Sequence, residues 1–171
     1  LGATVCTTEP RCNVCPVRMS CRAVELGEVE NIPVKKARRT PTELHELILV
    51  VRRKDEVFLV QHPPGERWGG LWGFPRLRRD SVLGLEPSDS QGVVDEVSLL
   101  GWTVEFAGWY EAFRHSVTRF RLNLQPVDLR WSDGEWGGAP AGEWVPVDEL
   151  DGRPMSVAER RVAAEAAGVL D

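Results

Sequence analysis

The sequence predicts an α+β fold: a sheet of several strands with a helix after the first hairpin, then more strands and a terminal helix. Three observations support this prediction. The runs LHELILVV and EVFLVQH are β-prone and lie on either side of a short polar stretch, which is typical of a β-hairpin. Apolar residues in SDSQGVVDEVSLLGW recur with the period of a helix. The stretch SVAERRVAAEAAG, near the end of the chain, is also typical of a helix.

The remaining elements follow from local signals. Ser88 or Ser90 is expected to cap the helix after the first hairpin. The terminal helix is expected to begin after the cap residue Ser156 and to end at Gly168. A short strand is expected at EWVPV. Longer strands are expected at Thr103–Phe106, Tyr110–Val117 and Phe120–Val127.

Four cysteines, the only ones in the chain, lie close together ahead of this domain in CTTEPRCNVCPVRMSC. Their spacing is C-x5-C-x2-C-x5-C. A compact iron–sulfur cube takes one thiolate per iron and suits such mixed spacing, whereas zinc sites usually present two C-x2-C pairs. Iron–sulfur is favoured, and zinc or two disulfides remain alternatives. A short helix is expected from Val17 to Leu26, through the last cysteine.

The charge of the chain is unevenly distributed. The 171 residues have a net charge of -5, yet residues 1–40 contain seven Lys/Arg and four Asp/Glu, and residues 80–171 contain seven and seventeen. A basic first half is typical of a chain that faces a polyanion, although a solvated surface of uneven charge is equally compatible. No apolar run approaches the length of a membrane span, so we expect no membrane partner.

Residues 27–43, GEVENIPVKKARRTPTE, have the composition of a connector. Their basic side chains are candidates for contacts with DNA phosphates, or else they belong to a solvated linker. These candidates are Lys35, Lys36, Arg38 and Arg39.

Two stretches resemble parts of one known enzyme family. LGATVCTTEPRCNVCPVRMSCRA resembles the segment that ends the catalytic domain of the helix-hairpin-helix DNA glycosylases, in particular the A/G-specific adenine DNA glycosylases, although it is one residue shorter between the first two cysteines. GGLWGFP, residues 69–75, resembles the Nudix-like C-terminal domain of the same enzymes. The resemblance implies a cluster module at residues 1–26, a connector at 27–43, and a Nudix-like domain with a mixed sheet and flanking helices at 44–171. It also implies a 4Fe-4S cluster on Cys6, Cys12, Cys15 and Cys21, with Zn2+ as the alternative.

The same resemblance implies a function in base excision repair. The enzymes of this family remove adenine that is mispaired with 8-oxoguanine, so the expected partners are duplex DNA with A:8-oxoguanine mispairs and the upstream catalytic domain of the same protein. The catalytic carboxylates of the family lie upstream of the cysteines, so we expect this chain alone to be inactive. A cytoplasmic, nucleoid-associated location is expected.

Two other functions were weighed. One is a non-enzymatic nucleic-acid-binding protein that combines a metal cluster with a degenerate Nudix fold. The other, a nucleotide pyrophosphohydrolase, is disfavoured because that chemistry needs several carboxylates on one helical face. Ser98 and Leu99 stand where the family box has paired glutamates. Asp95 and Glu96 are expected to lie on a solvated face.

Recognition of the damaged base is assigned by resemblance to FRHSVTRF, residues 113–120. 8-Oxoguanine differs from guanine by a carbonyl at C8 and a proton at N7, and a hydroxyl can accept from that N–H. The family has Phe-Ser-His after an Arg-His pair, whereas this chain has Val117-Thr118-Arg119 after Arg114-His115. Thr118 keeps the hydroxyl, Val117 lacks an aromatic wedge, and Arg119 adds a permanent cation. Ordinary strand-end roles are the alternative for these residues.

Arginines and tryptophans around GGLWGFP are further candidates for contacts with DNA. Trp68 and Trp72 are candidates for base stacking or for the core. Arg11, in the loop between the first two cysteines, is a candidate phosphate contact by family resemblance. His45 and His62 are expected on strand surfaces. The other candidate phosphate contacts are Arg67, Arg76, Arg78 and Arg79.

Overall fold

The structure is a computed structural model that describes residues 1–31, 40–82 and 89–168. The chain divides into two compact units, Leu1–Thr40 and Pro41–Asp171. Each unit is described by itself below.

The first unit consists of short turns of helix. Two 3-10 helices, Cys12–Val14 and Arg18–Ser20, precede α1, which covers only Arg22–Glu25. The prediction of one helix from Val17 to Leu26 is wrong, because Cys21 has an extended conformation (φ -87°, ψ 114°) that separates the last two turns. Serine and cysteine at this point have weak helix propensity, so the backbone loses little by leaving the helix there. None of residues 1–31 is buried.

The second unit is built on one mixed eight-stranded sheet. Its two longest strands, β1 and β7, run parallel in the centre, and the other pairings are antiparallel. The order is β3-β2-β1-β7-β5, with β4 paired to β1, β6 to β7 and β8 to β2. The strands are β1 Thr42–Arg53, β2 Glu56–Gln61, β3 Trp72–Gly73, β4 Arg76–Arg79, β5 Trp102–Trp109, β6 Phe113–Val117, β7 Phe120–Gly134 and β8 Gly142–Pro146.

The apolar run LILVV in β1 places the sheet in the middle of the unit. Its residues alternate between two core clusters, so β1 is buried on both faces. Helix α3, Val157–Gly168, covers the face of Ile48 and Val50, and helix α2, Ser90–Leu99, covers the face of Leu47, Leu49 and Val51. The predicted sheet with flanking helices is therefore confirmed.

The predicted helix caps have different outcomes. The Ser156 hydroxyl accepts a hydrogen bond from the Glu159 N–H at 3.3 Å, as the cap prediction requires, and α3 ends at Gly168. Ser90 is the first residue of α2 rather than its cap, and Asp89 occupies the cap position. Ser88 lies outside the described residues.

Strands are present at all the predicted positions, but β6 begins at Phe113 rather than Tyr110, whereas β1, β5 and β7 are longer than expected. β5 extends to Trp109, and β7 continues seven residues beyond Val127 because it pairs with β5 along that extension. The hairpin of β6 and β7 is joined by a two-residue turn, Thr118-Arg119. Among the helices that the structure describes, none has the length and apolar character needed to cross a bilayer.

Candidate nucleic-acid interface

The turn between β6 and β7 presents the candidate lesion contacts at the end of a hairpin. Val117 and Phe120 form the last strand pair, and both residues of the turn, Thr118 and Arg119, are exposed. Thr118 has a φ of 49°, in the left-handed region that a β-branched residue rarely adopts. The hairpin therefore presents an exposed hydroxyl and a guanidinium side by side on a strained backbone.

A second segment, the loop from His62 to Leu71, lies beside this hairpin. The backbone N–H of Gly70 donates to the His62 carbonyl at 2.8 Å, and the His62 N–H donates to the Leu71 carbonyl at 2.9 Å, so the loop closes on itself. Trp68, near its tip, has a φ of 66°. The Trp68 ring centre lies 6.3 Å from that of His115 on β6, which brings the loop against the hairpin strand.

Arginine side chains stack on the aromatic rings at this junction. The guanidinium carbon of Arg67 lies 4.9 Å from the Trp68 ring centre and 5.5 Å from that of Phe120. Arg119 lies 5.0 Å from the same Phe120 ring. Such contacts are typical of cation–π attraction. These four residues and Arg78 contribute to the lining of a cavity of about 680 Å3.

A buried ion network contacts this junction through the side chain of Arg67. The Glu46 carboxylate, in β1, accepts from Arg67 at 2.7 Å and from Arg76 at 2.5 Å, and Arg76 also pairs with Glu159 of α3. Burial disfavours the charged form of Glu46, but the attraction and hydrogen bonds of Arg76 and Arg67 outweigh it and lower its pKa. Glu46 is therefore a carboxylate with two cationic partners in the core.

His62 lies at the edge of this network. Burial, reinforced by repulsion from Arg76, lowers the pKa of the His62 imidazole. Its Nε2 atom is buried without a hydrogen-bond partner among the described residues. The prediction that His62 is a strand-surface residue is wrong, because β2 ends at Gln61 and the following imidazole turns inward towards Gly73.

The fold and this geometry can be compared with known proteins. Residues 47–165 match the family model described as the NUDIX domain. The chain belongs to the Nudix domain family. Two solved structures agree with its fold: the MutT protein from Methanosarcina mazei Go1, at a TM-score of 0.56 and 17% identity over 77% of this chain and 96% of that one, and a Nudix hydrolase from Nitrosomonas europaea, at 0.54 and 14% over 72% and 87%. At these identities the likeness establishes the fold alone.

Curated relatives extend the match beyond the Nudix domain. Adenine DNA glycosylase from Mus musculus is 27% identical over 95% of this chain and 40% of its own length. Adenine DNA glycosylase from Buchnera aphidicola (Acyrthosiphon pisum) is 24% identical over 76% and 35%. The chain thus spans less than half the length of these relatives. The predicted resemblance to adenine DNA glycosylases over most of the chain is confirmed.

The helix that corresponds to the Nudix catalytic box is α2. Glu96 pairs with Arg79 of β4, whereas Asp95 is exposed and accepts from the Gln91 amide at 2.8 Å. The expectation that both carboxylates lie on a solvated face is thus correct for Asp95 and wrong for Glu96. Leu99 is one of the most exposed large apolar residues of the Nudix domain.

Two of the arginines that were predicted to contact DNA phosphates, Arg67 and Arg76, belong to the buried ion network of Glu46. Arg76 is the clearest case, because its side chain is 11% exposed and bonded to two carboxylates. The expectation that Arg76 contacts phosphate is therefore wrong. Arg67 is also bonded to Glu46, and Arg79 to Glu96, whereas Arg78 is exposed.

The other predicted contacts lie elsewhere in the chain. Trp72, in β3 of the Nudix domain, stacks on Arg153 at 4.9 Å rather than on the hairpin. In the first unit, Arg11 donates to the Thr4 carbonyl at 2.5 Å, which ties the loop between Cys6 and Cys12 to the residues that precede Cys6. The connector candidates Lys35, Lys36, Arg38 and Arg39 lie outside the described residues.

The four cysteines are all free thiols, with Cys6 exposed and the other three half-buried. Four free thiols on consecutive turns are a suitable donor set for a four-iron cube or a zinc ion. Within the described ranges, however, no three cysteine, histidine or acidic side chains are gathered as a metal site requires. The donor chemistry thus fits a metal centre, and the ligand geometry is not assembled.

Sequence reasoning missed Glu46 and Glu159 as parts of the site. Glu46 carried a usable signal, because it directly precedes the apolar run LILVV of β1, and a charge beside such a run needs a buried partner. Nothing in the sequence identified which arginines would supply that partner.

Proposed function

We propose that this chain is the DNA-binding and lesion-sensing part of an adenine DNA glycosylase that acts on adenine mispaired with 8-oxoguanine. One observation carries the proposal: the exposed Thr118-Arg119 turn stands at the end of a hairpin braced by Trp68 and Phe120. The sequence similarity to adenine DNA glycosylases along most of the chain supports it. The turn is the part that distinguishes the damaged base.

The chemistry of the turn matches the chemistry of the lesion. 8-Oxoguanine presents a donor at N7 where guanine presents an acceptor, and it adds an acceptor at C8. The Thr118 hydroxyl accepts from the N7–H, and the Arg119 guanidinium donates to the C8 oxygen. With guanine, the C8 oxygen is absent and the hydroxyl must donate instead, so Arg119 loses its partner.

Arg119 is available for this role. Within the described parts of the chain it has no ion-pair partner, and it is exposed although its guanidinium stacks on Phe120. Arg67 has a different role in the proposal. Because it is bonded to Glu46 and stacked on Trp68, it orients the tryptophan rather than contacting phosphate. Val117 and His115, both half-buried on β6, form the side of the hairpin next to Trp68.

Phosphate binding is assigned to cations outside the buried ion network. In the Nudix domain the phosphate contact is Arg78, which is exposed and lines the cavity beside the hairpin. Other phosphates of the duplex are bound by Arg11 and by the lysines and arginines of the connector. Trp72 contacts the bound strand at a separate point. Contacts of this type add affinity without sequence preference and weaken steeply as salt is raised.

Excision itself is assigned to residues that this chain does not contain. Breaking the N-glycosidic bond requires a general acid at the base and a carboxylate beside the developing sugar cation. We propose that the upstream catalytic domain of the same protein supplies both, and that this chain alone binds DNA without releasing adenine. Cys6, Cys12, Cys15 and Cys21 hold a 4Fe-4S cluster that orders the loop carrying Arg11, with zinc as the alternative metal.

The experiment for lesion sensing is fluorescence anisotropy of the chain with three duplexes that differ only in the base opposite adenine: 8-oxoguanine, guanine or thymine. We expect the 8-oxoguanine duplex to bind most tightly, by about tenfold in affinity. This factor corresponds to the net free energy of two modest hydrogen bonds. Thr118→Ala and Arg119→Gln should each remove a large part of that preference. Thr118→Ser keeps the hydroxyl and should retain it. Equal binding of all three duplexes by the unaltered chain contradicts the proposal.

The metal assignment is tested separately. Protein purified without oxygen should contain iron and sulfide and absorb near 400 nm, as iron–sulfur proteins do at roughly that wavelength. Cys15→Ser should lose the iron. A colourless protein with stoichiometric zinc selects the alternative, and a protein without either metal contradicts both.

A further inference from the structure

A cleft lined by tryptophans lies on the opposite core cluster of the Nudix domain from the hairpin. Phe58 of β2 is at its base, with ring centres 4.7 Å from Trp102, 5.3 Å from Trp144 and 5.9 Å from Trp136. Trp131 completes the wall, 5.7 Å from Trp144. The cleft has a volume of about 550 Å3. Trp102 is buried in the core, whereas Trp131, Trp136 and Trp144 are only partly buried, and Trp136 also lines the cavity beside the hairpin.

Two of the indole N–H groups are hydrogen-bonded within the chain. The Trp131 Nε1–H donates to the Gly134 carbonyl at 3.2 Å, and the Trp136 Nε1–H donates to the Pro140 carbonyl at 2.9 Å. Both polar edges are therefore occupied within the chain. What the cleft offers a ligand is the π face of Trp131 and Trp144, because such faces attract cations and the Trp136 ring is packed against Gly138 and Trp102.

The protein already places a guanidinium in this cleft. The guanidinium carbon of Arg53 lies 4.4 Å from the Trp144 ring centre and 5.5 Å from that of Trp131. Glu56 holds Arg53 there through two hydrogen bonds, at 2.8 Å and 3.1 Å. The spacing of these rings is thus suited to a planar cation.

The rim of the cleft is acidic. Asp133 and Glu135 are exposed and line it, and neither has an ion-pair partner among the residues that the structure describes. Asp133 accepts one hydrogen bond, from the Gly134 N–H at 2.8 Å, which leaves most of its acceptor capacity open. Unneutralised carboxylates beside aromatic faces favour a cation and repel the phosphates of a nucleic acid.

We propose that this cleft binds an arginine side chain from a basic segment of a partner protein. The arginine stacks on the face of Trp131 or Trp144, and its N–H groups donate to Asp133 and Glu135. Arginine is preferred over lysine because a planar guanidinium stacks on an indole while it forms a paired hydrogen bond with a carboxylate. Residues 80–171, which form most of the cleft, contain seventeen acidic and seven basic residues, so a basic partner is also favoured at longer range.

The probe is a short acetylated peptide with two arginines in a glycine–serine background, compared with its lysine and citrulline analogues. Binding is followed through the indole N–H signals of Trp131 and Trp144, which line this cleft and not the cavity beside the hairpin, in a nitrogen–proton correlation spectrum. The arginine peptide should shift both signals with saturation, and the lysine peptide should bind about threefold more weakly. The citrulline peptide, which is neutral and of similar shape, should not saturate.

Three variants decide the outcome. Asp133→Asn with Glu135→Gln should weaken the arginine peptide about fivefold, whereas Asp148→Asn with Glu149→Gln, an equally exposed acidic pair away from the cleft, should leave it unchanged. Arg53→Gln should tighten binding because it removes a like charge and frees two ring faces. The proposal is overturned if citrulline binds as well as arginine, if the rim variant binds normally, or if a single-stranded oligonucleotide shifts the same signals more strongly than the peptide.

Discussion

The guanidinium carbon of Arg76 lies 4.3 Å from the centre of the Trp68 ring. The same guanidinium is bonded to Glu46 on β1 and to Glu159 on α3, so the face of an interface tryptophan is supported by an ion network of the core. Trp68 has a left-handed backbone, which the surrounding contacts must maintain. The stability of the domain and the geometry of its candidate DNA interface therefore depend on the same side chains.

The first prediction concerns Glu46. Glu46→Gln should destabilise the protein by about 3 kcal/mol, because it leaves Arg67 and Arg76 buried with one fewer carboxylate. The free energy of unfolding in urea measures this loss. Glu111→Gln is the matched control: it also removes a carboxylate bonded to an arginine, Arg161, but that side chain is 80% exposed, so the cost should stay below about 1 kcal/mol. Equal costs for the two variants would show that the buried network does not stabilise the fold.

The second prediction distinguishes the backbone strain at Thr118 from the role of its hydroxyl in recognising the lesion. Thr118→Gly should stabilise the domain by about 1 kcal/mol, because glycine adopts a φ of 49° without the strain of a β-branched residue. Lys54→Gly, at a φ of 54° in the turn between β1 and β2, should give a similar gain. Thermal unfolding measures both variants.

DNA binding then distinguishes the same two variants. Thr118→Gly should lose preference for 8-oxoguanine, and Lys54→Gly should keep it. If Thr118→Gly keeps the full preference, the hydroxyl does not contact the lesion.

The third prediction concerns pH. Since the pKa of His62 lies below its ordinary value of 6.5 in the folded protein, the unfolded chain takes up a proton that the folded chain does not. Stability should therefore fall as pH drops below 6.5, until the folded pKa is reached. His62→Gln should flatten this part of the stability profile, and an unchanged profile in this variant would contradict the prediction. Glu46 contributes separately: its lowered pKa gives stability that is present above 4.5 and lost only in more acidic solution.

The fourth prediction is that the chain does not hydrolyse 8-oxo-dGTP with Mg2+. On α2, Glu96 is paired with Arg79, and Ser98 and Leu99 stand at the positions of the paired glutamates, so the carboxylates that the metal needs are not provided. Chromatographic detection of 8-oxo-dGMP, with an active Nudix hydrolase run in parallel, measures this. Turnover that depends on Mg2+ and is lost in Asp95→Asn would favour the hydrolase function instead.

The sequence predicted those parts of the fold that are determined locally. The first hairpin, α2 and the Ser156 cap follow from alternation, period and capping within a few residues. The four-residue length of α1 was not predicted, because the apolar and helix-forming residues around Cys21 gave no sign that its backbone is extended.

The candidate site was predictable only where its residues are adjacent in the chain. Thr118 and Arg119 were identified as neighbours in one turn. Glu46 and its partners were not, because Arg67 is 21 residues away from it and Arg76 is 30, and Arg76 is 83 residues from Glu159. The pairing of charges across such separations depends on strand order and helix packing, which local patterns do not specify.

The central claim is that the Thr118-Arg119 turn contacts 8-oxoguanine. The most direct measurement is a nitrogen–proton correlation spectrum of the isotopically labelled chain, titrated first with an A:8-oxoguanine duplex and then with an otherwise identical A:guanine duplex. The account predicts that the difference between the two titrations is largest at the amides of Thr118 and Arg119 and at the indole of Trp68. Differences confined to other parts of the chain, with these three signals alike in both titrations, would contradict it.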